Sequence, residues 1–224
     1  MVSLICENDG IMNRINLEKR SFYNAKKLNE INITAASNIY FGSGCFEGSK
    51  MPKSVSLVSK DISIGDNCFT ECNSLQSFVV SEIENIEIAE KVSIGEKCFA
   101  NLQSLTDVNI IANEINFGKS CFSGSKKLEN VSLFSIIKTI DDNCPNESNS
   151  SESFKISEVF PEKINFADEC FFNTQNLQDI EITANDINLG KNCFSGSKKL
   201  QKAVLHGDIC LIHSKLKNCQ KEKT

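Results

Sequence analysis

Residues 115–133 read INFGKSCFSGSKKLENVSL, and the string returns from Ile187 as INLGKNCFSGSKKLQKAVL. Over the first fourteen positions the two copies differ only at Phe117/Leu189 and Ser120/Asn192. Near-identity at a separation of 72 residues means one structural unit used more than once. Such a unit cannot bury its apolar face alone, so it must stack on its own copies.

The repeat runs through most of the chain. Anchored on its Phe, the unit recurs at Phe22, Phe46, Phe69, Phe99, Phe122, Phe171 and Phe194, and Pro145 fills one further slot. The commonest step is 23 residues, within the range of leucine-rich repeats. Six residues after the Phe comes Leu, and apolar residues follow at plus nine and plus eleven. Leu75/Phe78/Val80, Leu105/Val108/Ile110, Leu128/Val131/Leu133 and Leu177/Ile180/Ile182 obey the rule. LTDVNIIANEI and LQDIEITANDI complete the leucine-rich string, which predicts a buried amide at Asn113 and Asn185 bonding adjacent turns.

Two period-two segments per unit predict two strands with one buried face each. The first is the Leu-x-x-Val-x-Leu segment. The second is Ile-x-apolar followed by Gly, as in Ile62-Ser-Ile64-Gly65, where the Gly permits a turn that a Cβ would oppose. Cys-Phe and a polar stretch such as SGSKKL then predict one helical turn. The expected fold is a mainly β leucine-rich repeat solenoid of about eight coils, with two short strands and a short helical turn per ~23-residue coil.

The anchors resemble the BspA-like leucine-rich repeat family, whose units read roughly Ile-Gly-x-x-Ala-Phe-x-x-Cys-x-x-Leu. IGDNCFTECNSL around Phe69 matches best, with Cys68 in place of the Ala and Cys72 at the family's Cys. The resemblance spans residues 15–205. It implies a solenoid of bacterial and protozoan type, with members on cell surfaces that adhere to or bind proteins. On this reading residues 1–14 form an N-terminal cap segment, and residues 206–224 a C-terminal cap and basic tail. The unit around residues 138–160 is degenerate, because Pro145 and Ser151 replace its Phe and Leu. It is expected to keep its path as a coil, with a strand at Phe154-x-Ile156.

Charge and length narrow the function classes. A net charge of −5 argues against a nucleic-acid partner, which calls for a basic face. No apolar run approaches the roughly eighteen residues of a membrane span. The N-terminus lacks a basic start followed by an apolar core, which predicts retention inside the cell, whereas the resemblance implies the cell surface.

Seven of the eleven cysteines (Cys45, Cys68, Cys98, Cys121, Cys144, Cys170 and Cys193) immediately precede the Phe slot. Stacked coils place them in one column, where a free Cys serves as a small buried hydrophobe. A parallel column neither brings Cβ atoms together for disulfides nor converges four ligands on a zinc ion. His206 and His213 have no nucleophile placed around them by any motif, so no catalytic residue, metal site or cofactor is expected.

Alternation turns positions plus eight and plus ten of each first strand outward. These are Glu30, Asn32, Ser54, Ser56, Ser77, Val79, Asp107, Asn109, Asn130, Ser132, Lys155, Asp179 and Glu181. A regular sheet of short polar residues suits docking, and solenoids bind through their concave faces. The expected function is a non-enzymatic protein-interaction scaffold, of adhesin type by resemblance. The alternative is a thiol-based metal-binding or redox protein using the stacked cysteines.

Overall fold

The computed structural model describes residues 2–6, 14–50, 52–81, 88–134, 163–177, 179–200, 202–211 and 219–221. In chain order the strands are β1 (Val2–Cys6), β2 (Arg14–Leu17), β3 (Leu28–Thr34), β4 (Asn38–Phe41), β5 (Ser54–Val58), β6 (Asp61–Ile64) and β7 (Ser77–Val80). They continue as β8 (Ala89–Ile94), β9 (Asp107–Phe117), β10 (Asn130–Phe134), β11 (Lys163–Phe166), β12 (Asp179–Leu189), β13 (Lys202–Leu211) and β14 (Cys219–Lys221). Every pairing between them is parallel.

The strands fall into two rows. First strands run β1-β3-β5-β7-β9-β10-β12-β13-β14, and second strands run β2-β4-β6-β8-β9-β11-β12-β13. The long strands β9 and β12 turn the corner between the rows without a break. Inward positions alternate as the sequence reading requires: Ile31/Ile33, Val55/Leu57, Phe78/Val80 and Val108/Ile110 on first strands, and Ile62/Ile64, Ile115/Phe117 and Ile187/Leu189 on second strands, are all buried.

The third side of each coil carries the Phe. Phe22, Phe46, Phe69, Phe99, Phe122, Phe171 and Phe194 form one continuous stack, with successive centroids 5.2–5.3 Å apart and rings within 9° of parallel. The coil rise of about 4.8 Å sets that spacing, which lies inside the favourable range for aromatic pairs. Phe41, Phe78 and Phe117 meet the stack edge-on.

The expected helical turn is instead a chain of β-turns. In each coil the residues two before and two after the Phe have positive φ; around Phe122 these are Ser120 (54°) and Gly124 (71°). A left-handed residue on each side breaks any helical run. What replaces the helix is a third ladder. Cys45, Glu47 and Ser49 donate backbone N–H bonds within the turn, to the carbonyls of Gly42, Gly44 and Phe46. The alternate residues Gly44, Phe46 and Gly48 donate to Asp66, Cys68 and Thr70 of the next coil. Every side of the coil is thereby hydrogen-bonded along the stack.

The coil count also differs from the eight expected. The described residues contain seven Phe rungs and six steps between them, because Phe122 stacks directly on Phe171. Phe117 likewise stacks on Phe166 at 5.2 Å, Ile115 pairs with Ile164, and the Phe122 N–H donates to the Cys170 carbonyl. β10 meanwhile sits between β9 and β12 in the first row. Residues 135–162 therefore connect the first strand of one coil to its second strand. No rung remains between Phe122 and Phe171 for a coil at Pro145. The slot itself, Cys144 and the proposed strand at Phe154 lie outside the described residues.

Two further expectations change. The glycines after the second strand serve close approach between coils rather than φ: a Cβ on Gly118 would stand 2.5 Å from the Gly95 carbonyl carbon of the coil beneath. Ala167 nevertheless holds the equivalent place above Gly118, and its coil accommodates the methyl. Glu18 occupies the same place in β2's coil, and β2 pairs only with β4, so no paired strand crowds it. The Asn113 and Asn185 amides are not buried: Asn113 is half-buried and Asn185 exposed, while Ala112 and Ala184 fill the inward place at the corner.

Candidate functional site

The outward residues of the first-strand row form two straight columns in register. One runs Glu30–Ser54–Ser77–Asp107–Asn130, and the other Asn32–Ser56–Val79–Asn109–Ser132–Glu181. Asp179 pairs with Lys202 one coil further on. Lys155 lies outside the described residues, and Ser132 pairs directly with Glu181, so the second column passes from β10 to β12 without it. Asp107, Asn130 and Ser132 are exposed, and the other members from Glu30 to Asn109 are half-buried. At the position after each first strand's last inward residue, Val58 is buried and Ile111 half-buried, so the border of this face belongs to the core edge.

The polar groups on this face are sparsely tied to each other. Asp107 accepts from the Asn130 amide at 2.7 Å and from the Thr106 hydroxyl at 2.5 Å. The Asn109 Oδ1 is buried and has no hydrogen-bond partner. Side chains this short carry little rotamer entropy to lose on docking.

The outward face of the second-strand row is different. Its column runs Arg14–Asn38–Asp61–Lys91–Glu114–Lys163–Asp186, and from Asp61 onward the charges alternate in sign. Lys91 reaches Glu114 at 2.9 Å, and Asn116 donates to the same carboxylate at 2.8 Å. The Asn116 amide, first, and the Lys91 ammonium hold the Glu114 carboxyl below its ordinary range. Beside it an amide ladder links Asn116, Asn165 and Asn188 through bonds of 2.6 and 2.7 Å. Much of this face is already engaged with itself.

The cysteine column is present at Cys45, Cys68, Cys98, Cys121, Cys170 and Cys193, all free, and each is fully buried behind its Phe. Burial pushes the Cys68, Cys98 and Cys170 thiols upward, away from thiolate chemistry. Cys45, at the end of the column, is lowered instead, by the Cys68 thiol beside it. Cys72 lies off the column, and its thiol donates to the Phe46 carbonyl at 3.1 Å. Ser49, Ser125 and Ser197 do the same work elsewhere, donating to Phe22, Phe99 and Phe171 at 2.6, 2.6 and 2.9 Å. The sequence reading missed these buried hydroxyls because SGSKKL looks uniformly polar. Their signal is a small donor three residues after every Phe from Phe46 onward except Phe99.

Seven buried thiols out of eleven cysteines predict that native protein under reducing conditions exposes no more than four to a thiol reagent, and all eleven once unfolded. Rapid native labelling of more than four would place the column at the surface. Among the described residues no group of three or more His, Cys, Asp or Glu side chains is arranged to hold a metal ion. Among them, too, no helix is long and apolar enough to cross a membrane.

Parallel strand rows, a recurring Leu-x-x-apolar-x-apolar strand (with Pro52 in place of the Leu in one coil) and a stacked aromatic third side define a leucine-rich repeat solenoid, a repeat scaffold. The chain belongs to the BspA-type leucine-rich repeat family, whose profile matches residues 12–87 and 77–201 in six copies. No curated protein and no solved structure matches the chain.

Proposed function

We propose that this solenoid is a non-enzymatic protein-interaction scaffold of the adhesin type, which docks a protein partner on the outward face of its first-strand row. The observation that carries the reading is the contrast between the two rows. The second row's charged column alternates in sign and is partly ion-paired, whereas the first row presents two in-register columns of mostly polar groups, broken by Val79, around an unpartnered Asn109 oxygen. Solenoids bind through such extended repeat surfaces. The acids Glu30, Asp107, Asp179 and Glu181 favour a partner with a basic surface, since complementary charge steers encounter.

The double variant Ser56→Arg/Ser77→Arg tests it. Both positions are half-buried on the outward face, so each substitution should shift stability by only about 0.5 kcal/mol. The two long cations would nevertheless block the centre of both columns. Partner capture by immobilised protein from native extract should be lost in this variant and retained in Lys126→Glu, an exposed control away from the face. Equal capture by both variants overturns the reading. Antibody labelling of intact against permeabilised native cells tests the surface location.

A further inference from the structure

Much of the second-strand row is engaged with itself, through the Lys91–Glu114 pair and the Asn116–Asn165–Asn188 ladder, but the stretch around Tyr40 is open. Around Tyr40 a groove of about 340 Å³ opens over β4, β6 and β8, lined on its outward side by Asn38, Tyr40, Asp61, Ser63, Lys91 and Ser93. It exists because the outward column reads Tyr40–Ser63–Ser93. One large aromatic stands at the end and two small hydroxyls follow, so the rungs beside the Tyr are left low over about 10 Å, two strand spacings. Tyr40 is one of three large apolar side chains substantially exposed among the described residues, at 45%.

The neighbouring column supplies an underused carboxylate. Lys91 is in register with Asp61, but its ammonium pairs with Glu114 on the far side. Asp61 accepts a long 3.4 Å bond from the Asn38 amide, which leaves most of its acceptor positions open. The groove thus presents an exposed tyrosine ring, a carboxylate with open acceptor positions, an amide and two hydroxyls at fixed spacing.

We infer that this groove binds a neutral sugar ring. A pyranose offers an apolar C–H face that can lie on an aromatic ring, and a rim of hydroxyls that both donate and accept. Donating hydroxyls suit Asp61, and accepting ones suit the Asn38 amide, Ser63 and Ser93. The charge arrangement selects against the other small-ligand classes. With Lys91 held by Glu114, the carboxylate of Asp61 is the uncompensated charge, and an anionic ligand would meet it. A quaternary ammonium would use the Tyr40 face and Asp61 but leave the amide and both serines without partners. The site is separate from the first-row face, so its test does not bear on the scaffold reading.

The experiment is saturation-transfer NMR on the whole chain with methyl glycosides of the common hexoses and N-acetylhexosamines. Tetramethylammonium and inorganic phosphate serve as comparison probes. At least one glycoside should receive transfer and compete with the others, with a millimolar dissociation constant. Tyr40→Ser, which places in β4 the residue already present in β6 and β8, should weaken binding by more than tenfold while leaving the circular dichroism unchanged. Asp61→Asn should weaken it less, and Tyr23→Ser, at the other exposed tyrosine, should not weaken it. Transfer to no glycoside, binding of tetramethylammonium or phosphate in their place, or equal transfer in wild type and Tyr40→Ser would each overturn the assignment.

Discussion

Phe122→Ala is expected to lower the stability of the protein by about 3–5 kcal/mol, the range for emptying a buried Phe site. The ring is fully buried, lies 5.2 Å from both Phe99 and Phe171, and takes an edge contact from Phe117 at 5.3 Å. Stability in a solenoid is approximately a sum of coil and nearest-neighbour terms, so one missing rung weakens two interfaces. The vacated volume cannot close readily, because all three sides of the coil are held at fixed rise by backbone ladders. Lys126→Ala, exposed in the same coil, should change stability by no more than about 0.5 kcal/mol. Urea midpoints for the two variants check it. Equal shifts would mean that the rings do not form the core of the stack.

The second large effect is alkaline destabilisation through the buried thiols. Burial, partly offset by the Ser49 backbone, pushes Cys72 up to about 12 from an ordinary value of 9.0. Between those values the native state holds the proton and the unfolded chain releases it, so stability falls as pH rises. Below pH 9 both states are protonated and the group contributes no pH dependence. At 1.36 kcal/mol per pH unit, the three-unit window costs about 4 kcal/mol by pH 12 from Cys72 alone. Cys68, Cys98 and Cys170 are displaced in the same direction, with burial the leading cause. The informative comparison is Cys72→Ser. It installs the hydroxyl that Ser49 and Ser125 use to reach the equivalent Phe carbonyls of their own neighbouring coils, and it removes the titrating thiol. Urea unfolding under reducing conditions at pH 7, 9 and 10.5 should show the wild type losing stability faster than Cys72→Ser above pH 9. Parallel curves would contradict the burial of this thiol.

The sequence carried the coil but not all of its geometry. The Phe anchors, the inward Leu, Val, Ile and Phe positions and the cysteine column could be placed because each is one residue type, or one apolar class, recurring at a fixed offset in units most often 23 residues apart. The turn after the second strand could not. Of its two left-handed positions, the one two residues before the Phe is held by Arg20, Asn67, Lys97, Ser120 and Glu169 as well as by Gly44 and has no residue signature. The one two residues after is Asn or Gly in every described coil except at Glu71, a signal the sequence reading passed over. Cooperative hydrogen bonding with the next coil outweighs the small cost of placing an ordinary residue there.

The expected coil at Pro145 shows the limit of counting by period. The step from Phe122 to Phe171 divides into 23 and 26 residues, and Cys144-Pro145 falls at the break, so a degenerate coil and an insertion fit the period equally well. The outward charges distinguish them. Lys91, Glu114, Lys163 and Asp186 alternate only if Lys163 follows Glu114 directly. The same column logic explains why the groove at Tyr40 was not legible. Its openness depends on Ser63 and Ser93, which lie 23 and 53 residues away in the chain and become neighbours only through the register.

The Ser132–Glu181 join in the first row, the Glu114–Lys163 join in the second and the continuity of the aromatic third side all depend on the stack passing straight from Phe122 to Phe171. Ring-to-ring NOEs in protein carrying selectively labelled Phe report that contact directly. The structure requires a strong cross-peak between Phe122 and Phe171, comparable to that between Phe99 and Phe122, since both pairs are 5.2 Å apart. A coil inserted at Pro145 would separate the two rings by about 10 Å, twice the strand spacing. In that case the Phe122–Phe171 cross-peak would be absent, and each ring would instead show contacts to residues 144–156.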